Sequence, residues 1–253
     1  MHSRRKFLTR GTLAAGAFAT TSLSADLSAD EKKHSSSTLT VNLCGRWWFR
    51  TDPMAAGAGQ RWFDADYSVA DHSGNDWQSV DVPHTCQVDP SDADYRGVAW
   101  YRRSFDVPGA WRHSAVRIEF EAVFHTATIW VNGQPAGEHT RKGYTALTLD
   151  ITRFLRWGEI NVVTVRVDNA FNDHMLPRGR SSDWAHDGGI YRPVQLLFTP
   201  KTFVERVDVE AVPDLTRGEG KLTIAAYARN AGSKRWSGRA SFQVLMRRPG
   251  LLS

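Results

Sequence analysis

Val116, Ile118 and Phe120 occupy every second position of the run 115–122, with Arg117, Glu119 and Glu121 between them. A period of two places the apolar side chains on one face of an extended strand and the charges on the other. The same alternation returns in 100–107, which ends at Pro108, and through Ala127, Ile129 and Val131. It returns again in 146–151, 159–167 and the apolar run 194–198. The run through Val131 closes on Asn132-Gly133, the pair that most favours a type I′ hairpin. Helical spacing is confined to 151–155, stopped by Trp157-Gly158. Many short strands joined by turns predict an all-β chain, with a β-sandwich of Greek-key or jelly-roll type over residues 40–200.

A second domain is expected to begin at Pro200-Lys201. New alternating runs follow at 203–212, 221–228 and 240–245. An immunoglobulin-like sandwich takes about seven strands and ~100 residues. Residues 201–253 therefore predict an incomplete immunoglobulin-like sandwich, the start of a truncated domain.

The formal net charge of +5 suggests an anionic partner until its position is considered. Arg4, Arg5, Lys6 and Arg10 lie in an amino-terminal stretch without acids, and the rest of the chain is nearly neutral. Nucleic acid is not an expected partner. Ser3-Arg4-Arg5-Lys6-Phe7-Leu8 reads instead as a twin-arginine export signal, in which Arg4, Arg5, Phe7 and Leu8 are the marker residues. A mildly apolar stretch and small-residue cleavage options at 17–19 and 23–25 follow in the right order. Residues 1–25 are thus expected to be a signal peptide and 26–39 a disordered, Ser-rich spacer. The expected destination is the periplasm or the exterior of a bacterium, with no membrane anchor in the mature chain. Two cysteines, Cys44 and Cys86, without a CxxC pair, carry no zinc signature.

The stretch 181–194, Ser-Ser-Asp-Trp-Ala-His-Asp-Gly-Gly-Ile-Tyr-Arg-Pro-Val, holds more chemistry than a connection to a strand requires. Asp183, Trp184, His186 and Asp187 precede a glycine pair that allows a sharp turn or positive φ. Such residues, set on a loop beside a rigid strand, suit a binding site. A long connection whose acids cap turns is the alternative reading.

Several blocks, in order, resemble the amino-terminal part of glycoside hydrolase family 2, the β-galactosidases, β-glucuronidases and β-mannosidases. They are 80–84 (Val-Asp-Val-Pro-His), 97–105 (Gly-Val-Ala-Trp-Tyr-Arg-Arg-Ser-Phe), 130–139 (Trp-Val-Asn-Gly-Gln-Pro-Ala-Gly-Glu-His), 143–152, 161–169 and the stretch 183–194. The resemblance covers about residues 40 to 253. It implies a sugar-binding jelly roll that packs on a later (β/α)₈ barrel, where two glutamates about 5 Å apart perform retaining hydrolysis of O-glycosidic bonds. The family's acid sits in an Asn-Glu dipeptide, which this sequence does not contain. No catalytic residue is therefore expected in this chain, and the barrel is its expected packing partner.

The resemblance further implies that Asp183 reaches into the sugar pocket. In some galactosidases that acid also holds a cation, so a sodium, magnesium or calcium ion is implied for the full-length enzyme. No metal set is assigned in this chain beyond that contact. Trp184 would offer a ring face to the sugar. His186 is a further candidate, as is Asp94 in the loop before the 97–105 block, though this chain differs from the family pattern at both places. A free-standing, non-catalytic carbohydrate-binding module is the competing reading.

Overall fold

A computed structural model describes residues 3–14, 23–25, 39–67, 77–176 and 184–242. The chain divides into two compact units, Thr38–Thr199 and the remainder, Met1–Ser37 with Pro200–Ser253. Its strands in chain order are β1 (Ser3–Ala14), β2 (Leu23–Ala25), β3 (Leu39–Asn42), β4 (Gly45–Asp52), β5 (Gln78–Val82), β6 (Val98–Asp106), β7 (Ala115–Phe120) and β8 (Thr126–Val131). They continue with β9 (Gln134–His139), β10 (Leu147–Asp150), β11 (Ile160–Asp168), β12 (Val194–Thr199), β13 (Thr202–Asp214), β14 (Glu219–Asn230) and β15 (Ala240–Phe242). The fold is all-β. The stretch with helical spacing forms one short 3-10 turn, Thr152–Phe154.

The larger unit is a sandwich of two open sheets. One sheet has the strand order β10-β7-β12-β3 and the other β5-β4-β6-β11-β8-β9. The alternation sets the core directly. Val116, Ile118 and Phe120 of β7 and Leu196 and Phe198 of β12 are buried, as are Tyr101, Ile129, Val131, Val163 and Val165 from the facing sheet. Truncation at such a position (Ile118→Ala) costs about 2–5 kcal/mol, the lost transfer energy plus a cavity.

The other face of the six-stranded sheet is covered as well. Trp100 and Trp130 stack there at 5.5 Å, with Trp62 and Trp77 alongside. The segment 52–67 that brings Trp62 is held by buried polar groups. The Asp52 carboxylate accepts from Ala56 N, Gly57 N and Trp100 Nε1 at 2.8–2.9 Å. Arg102 donates to Thr164 Oγ1 and to the carbonyls of Trp62, Asp64, Ala65 and Tyr67.

Asn132 and Gly133 take positive φ, 51° and 77°, and turn β8 into β9. Asn132 does more than turn the chain. Its buried amide donates to Phe154 O and Asn161 Oδ1 and accepts from Val162 N, so the hairpin is bonded to the neighbouring strand and the 3-10 turn. Cys44 and Cys86 are free thiols.

The smaller unit has a three-stranded sheet, β1-β14-β13, and the pair β15-β2. The segment carrying Arg4, Arg5, Phe7 and Leu8 is thus paired along its backbone with β14. The expected spacer falls almost wholly outside the described residues, and Leu39 already belongs to β3. On the sheet, Val204 and Val207 pair with Ala228 and Ala226. These four residues, with Trp236 and Phe242, line an apolar groove of about 450 Å³. Among the described residues no helix is long and apolar enough to cross a membrane.

Candidate functional site

The loop between β5 and β6, the loop between β7 and β8 and the loop before β12 meet through their main chains. Gly189 exchanges two hydrogen bonds of 3.0 Å with Phe124. Cys86 N donates to Gly188 O at 2.7 Å and His84 N to Ile190 O at 2.8 Å. The glycine pair is required by this closeness. A Cβ on Gly188 would lie 2.4 Å from Asn169 Nδ2, and one on Gly189 2.5 Å from both His84 O and the Tyr101 hydroxyl. Gly189 also has φ 139°, which disfavours any side chain.

Two amide side chains complete the clamp. Gln87 accepts from Gly188 N at 2.9 Å and donates to Tyr95 O at 2.6 Å. Asn169 is buried at the end of β11. It accepts from Gly97 N at 2.9 Å and donates to His186 O at 3.2 Å. The candidates Asp94 and His186 therefore sit on loops that the same pair of amides ties together.

Rings fill the space above this frame. Trp184 donates from Nε1 to the Tyr144 hydroxyl at 2.9 Å and meets that ring edge-on, centroids 6.1 Å apart. Both rings are 50% exposed. Tyr144 packs on Phe124, Phe124 on His186, and His186 on Phe171, at centroid distances of 5.4, 6.0 and 5.2 Å. Tyr191 donates to Gly143 O at 2.6 Å and secures the turn that bears Tyr144. Phe124 and His125 are joined by a cis peptide bond.

The candidates from the sequence separate here. Trp184 is open to solvent, and Asp94 is exposed at a loop tip. His186 is 2% exposed, with its ring closed between Phe124 and Phe171, so it supports the loop from beneath. Asp183 lies outside the described residues. Tyr144, Phe171, Gln87, Asn169 and Arg96 were not singled out beforehand. Tyr144 and Asn169 do stand in blocks 143–152 and 161–169, whereas Gln87 and Phe171 carry no local signal.

Beneath the loops is a buried polar chain. His84 Nδ1 lies 2.9 Å from the Tyr101 hydroxyl, which lies 4.0 Å from Cys86 Sγ. Burial lowers His84 to about 4 and raises Cys86 to about 12, so both are neutral at pH 7. His125 is also lowered, chiefly by burial, with Asp168 opposing, and its Nδ1 has no hydrogen-bond partner. Among the described residues no group of three or more His, Cys, Asp or Glu could hold a metal ion.

Residues 40–200 match the family model of the sugar binding domain of glycosyl hydrolases family 2. The chain belongs to that family. A β-galactosidase of Thermoanaerobacter pseudethanolicus is 34% identical over 142 residues, covering 54% of this chain and 19% of the relative. A β-glucuronidase of Paenibacillus borealis is 28% identical over 208 residues, covering 74% of this chain and 33% of the relative. The crystal structure of Ruminococcus gnavus β-glucuronidase superimposes with a TM-score of 0.62 at 22% identity, over 74% of this chain and 33% of that one, and so shares the fold. The chain spans a third or less of each of these family 2 proteins. It corresponds to their amino-terminal sugar-binding portion. The loops described above set the half-exposed rings of Trp184 and Tyr144 on rigid backbone, an arrangement that can stack on a sugar's C–H face.

Proposed function

We propose that this chain is the glycan-binding portion of an exported retaining glycosidase, and that Asp183, Trp184 and Asp94 contact a β-glycoside while His186 holds the loop of Asp183 and Trp184. The observation that carries the reading is the half-exposed Trp184–Tyr144 pair, bonded at 2.9 Å on a loop clamped to the sandwich. A ring fixed in this way loses little entropy on stacking against a sugar. The names of the relatives point to β-galactosides and β-glucuronides as the class of substrate. The two catalytic glutamates belong to a barrel outside this chain, and a cation beside Asp183 would belong to the assembled enzyme. Export by the twin-arginine route rests on Arg4, Arg5, Phe7 and Leu8.

Calorimetry of the whole chain against a panel of β-linked oligosaccharides tests the binding. Measurable affinity that is lost in Asp183→Ala and Trp184→Ala supports it, and no heat with any glycan sinks it. Release of nitrophenol from nitrophenyl β-glycosides by the purified chain would show that the catalytic pair is here after all. Export is tested by following the chain into the periplasm of a bacterium. Translocation that survives replacement of both Arg4 and Arg5 by Lys removes the twin-arginine reading.

A further inference from the structure

Among the described residues Arg96 is a cation without a carboxylate partner. Nη1 donates to Tyr95 O at 2.7 Å, while Nε is buried with no acceptor. An arginine keeps its charge at any ordinary pH, so a guanidinium left short of acceptors is held at a cost that a bound anion would relieve.

The surroundings of Arg96 are those of the sugar loop. Its guanidinium lies over the ring of Phe171 at 6.0 Å. Phe171 is 42% exposed and meets His186 edge-on. A continuous path of ring contacts thus leads from Arg96 through Phe171, His186, Phe124 and Tyr144 to Trp184. The backbone beside Arg96 is fixed to the same frame, because Gly97 is bonded in both directions to Asn169.

We propose that Arg96 and Phe171 form a second sugar subsite that selects a ring bearing an anionic substituent, a carboxylate or a sulfate ester. The subsite rests on the glycan-binding reading given above and deepens it. Phe171 offers a ring to the apolar side of the sugar. The Nε–Nη2 edge of Arg96 presents two parallel N–H donors, which match two oxygens of a carboxylate or sulfate. A modest side-chain rotation of the kind common on binding opens that edge. A neutral sugar could take one of these bonds without satisfying the charge.

The test uses the whole chain and three disaccharides of one backbone: a hexuronate, its carboxyl-reduced neutral congener and a sulfated congener. At low salt at least one charged congener should bind about tenfold tighter than the neutral one, the scale of one charge-assisted hydrogen bond. Which charged congener gains identifies the substituent. The advantage should shrink as salt is added. Arg96→Gln should bring the charged congeners down to the neutral one, Arg96→Lys should restore part of the difference, and Phe171→Ala should weaken all three. Equal affinities in the unsubstituted chain overturn the subsite and leave the glycan reading standing, as does a preference that persists in Arg96→Gln. Failure of all three disaccharides to bind overturns both. If Arg96→Gln does not fold, the salt dependence of the unsubstituted chain decides the matter.

Discussion

Asn169 reaches across to His186 and holds that residue's carbonyl through Nδ2 at 3.2 Å, while its Oδ1 accepts from Gly97 at 2.9 Å. One buried amide therefore satisfies main-chain groups on both loops of the candidate site. In Asn169→Ala these groups lose their partner where water does not easily replace it. The expected cost is about 1–3 kcal/mol, read from the urea midpoint of the whole chain. A midpoint shift near zero would mean that the clamp is redundant with the main-chain bonds of Gly188 and Gly189.

His84 gives the fold a pH dependence whose sign is fixed by burial. Its pKa falls to about 4 in the folded chain from an ordinary 6.5, so the unfolded chain binds the extra proton between those values. The contribution is complete above pH 6.5 and is lost as pH drops towards 4. His125 is lowered in the same direction and adds to it. His84→Asn keeps a partner for the Tyr101 hydroxyl but cannot titrate. Its stability should fall less steeply than that of the unsubstituted chain between pH 6.5 and 4.5. Parallel curves would assign the dependence to other groups.

Cys86 lies next to the same hydroxyl, and burial lifts its thiol to about 12. Alkylation needs the thiolate, so native Cys86 should resist iodoacetamide at pH 8 and react only after unfolding. Mass spectrometry of the labelled chain reads this directly. Rapid labelling of native Cys86 would show that the loops above it open often.

Arg102 is the counterpart of Asn169 on the outer face. Five acceptors surround its guanidinium, and burial lowers its pKa only to about 10, so the charge remains at neutral pH. Arg102→Leu would strand four carbonyls of the 62–67 segment together. A loss of about 3 kcal/mol or more is expected, in the range for buried charged networks. Limited proteolysis should then cut first within 60–67. A variant as stable as the original, cut elsewhere, would contradict this account of how that segment is held.

Much of the sandwich was legible because its signals are local. The alternation at 116–120 and 160–168 and the Asn132-Gly133 turn each lie within a few residues, and they place strands, faces and hairpin. The role of Gly188-Gly189 was legible only in part. The sequence suggests a sharp turn, but the closeness of Asn169, His84 and Tyr101 is a property of the assembled loops. His186 shows the limit most clearly. Its neighbours in sequence are polar, which suggests a ligand, whereas its neighbours in space are Phe124 and Phe171, far away along the chain. Gln87 was illegible for the same reason, and block 161–169 marks Asn169 but not its partners, since an amide that joins loops 72 or 101 residues apart has no spacing to betray it.

The three-stranded sheet presents the opposite case, an apolar pattern left partly open to solvent. Val204, Val207 and Val209 of β13 are exposed, and Val204 and Val207 border the groove with Ala226 and Ala228. A contiguous apolar surface of this kind favours association. Val207→Asp with Val209→Lys should therefore shift the purified chain towards monomer in light scattering. The fold should be retained, because neither side chain is buried and exposed substitutions usually change stability by no more than about 0.5 kcal/mol. Two outcomes count against the face as the cause: an unsubstituted chain that is already monodisperse, or a double variant that associates as before. Loss of structure in the variant would instead show that these valines are packed in solution.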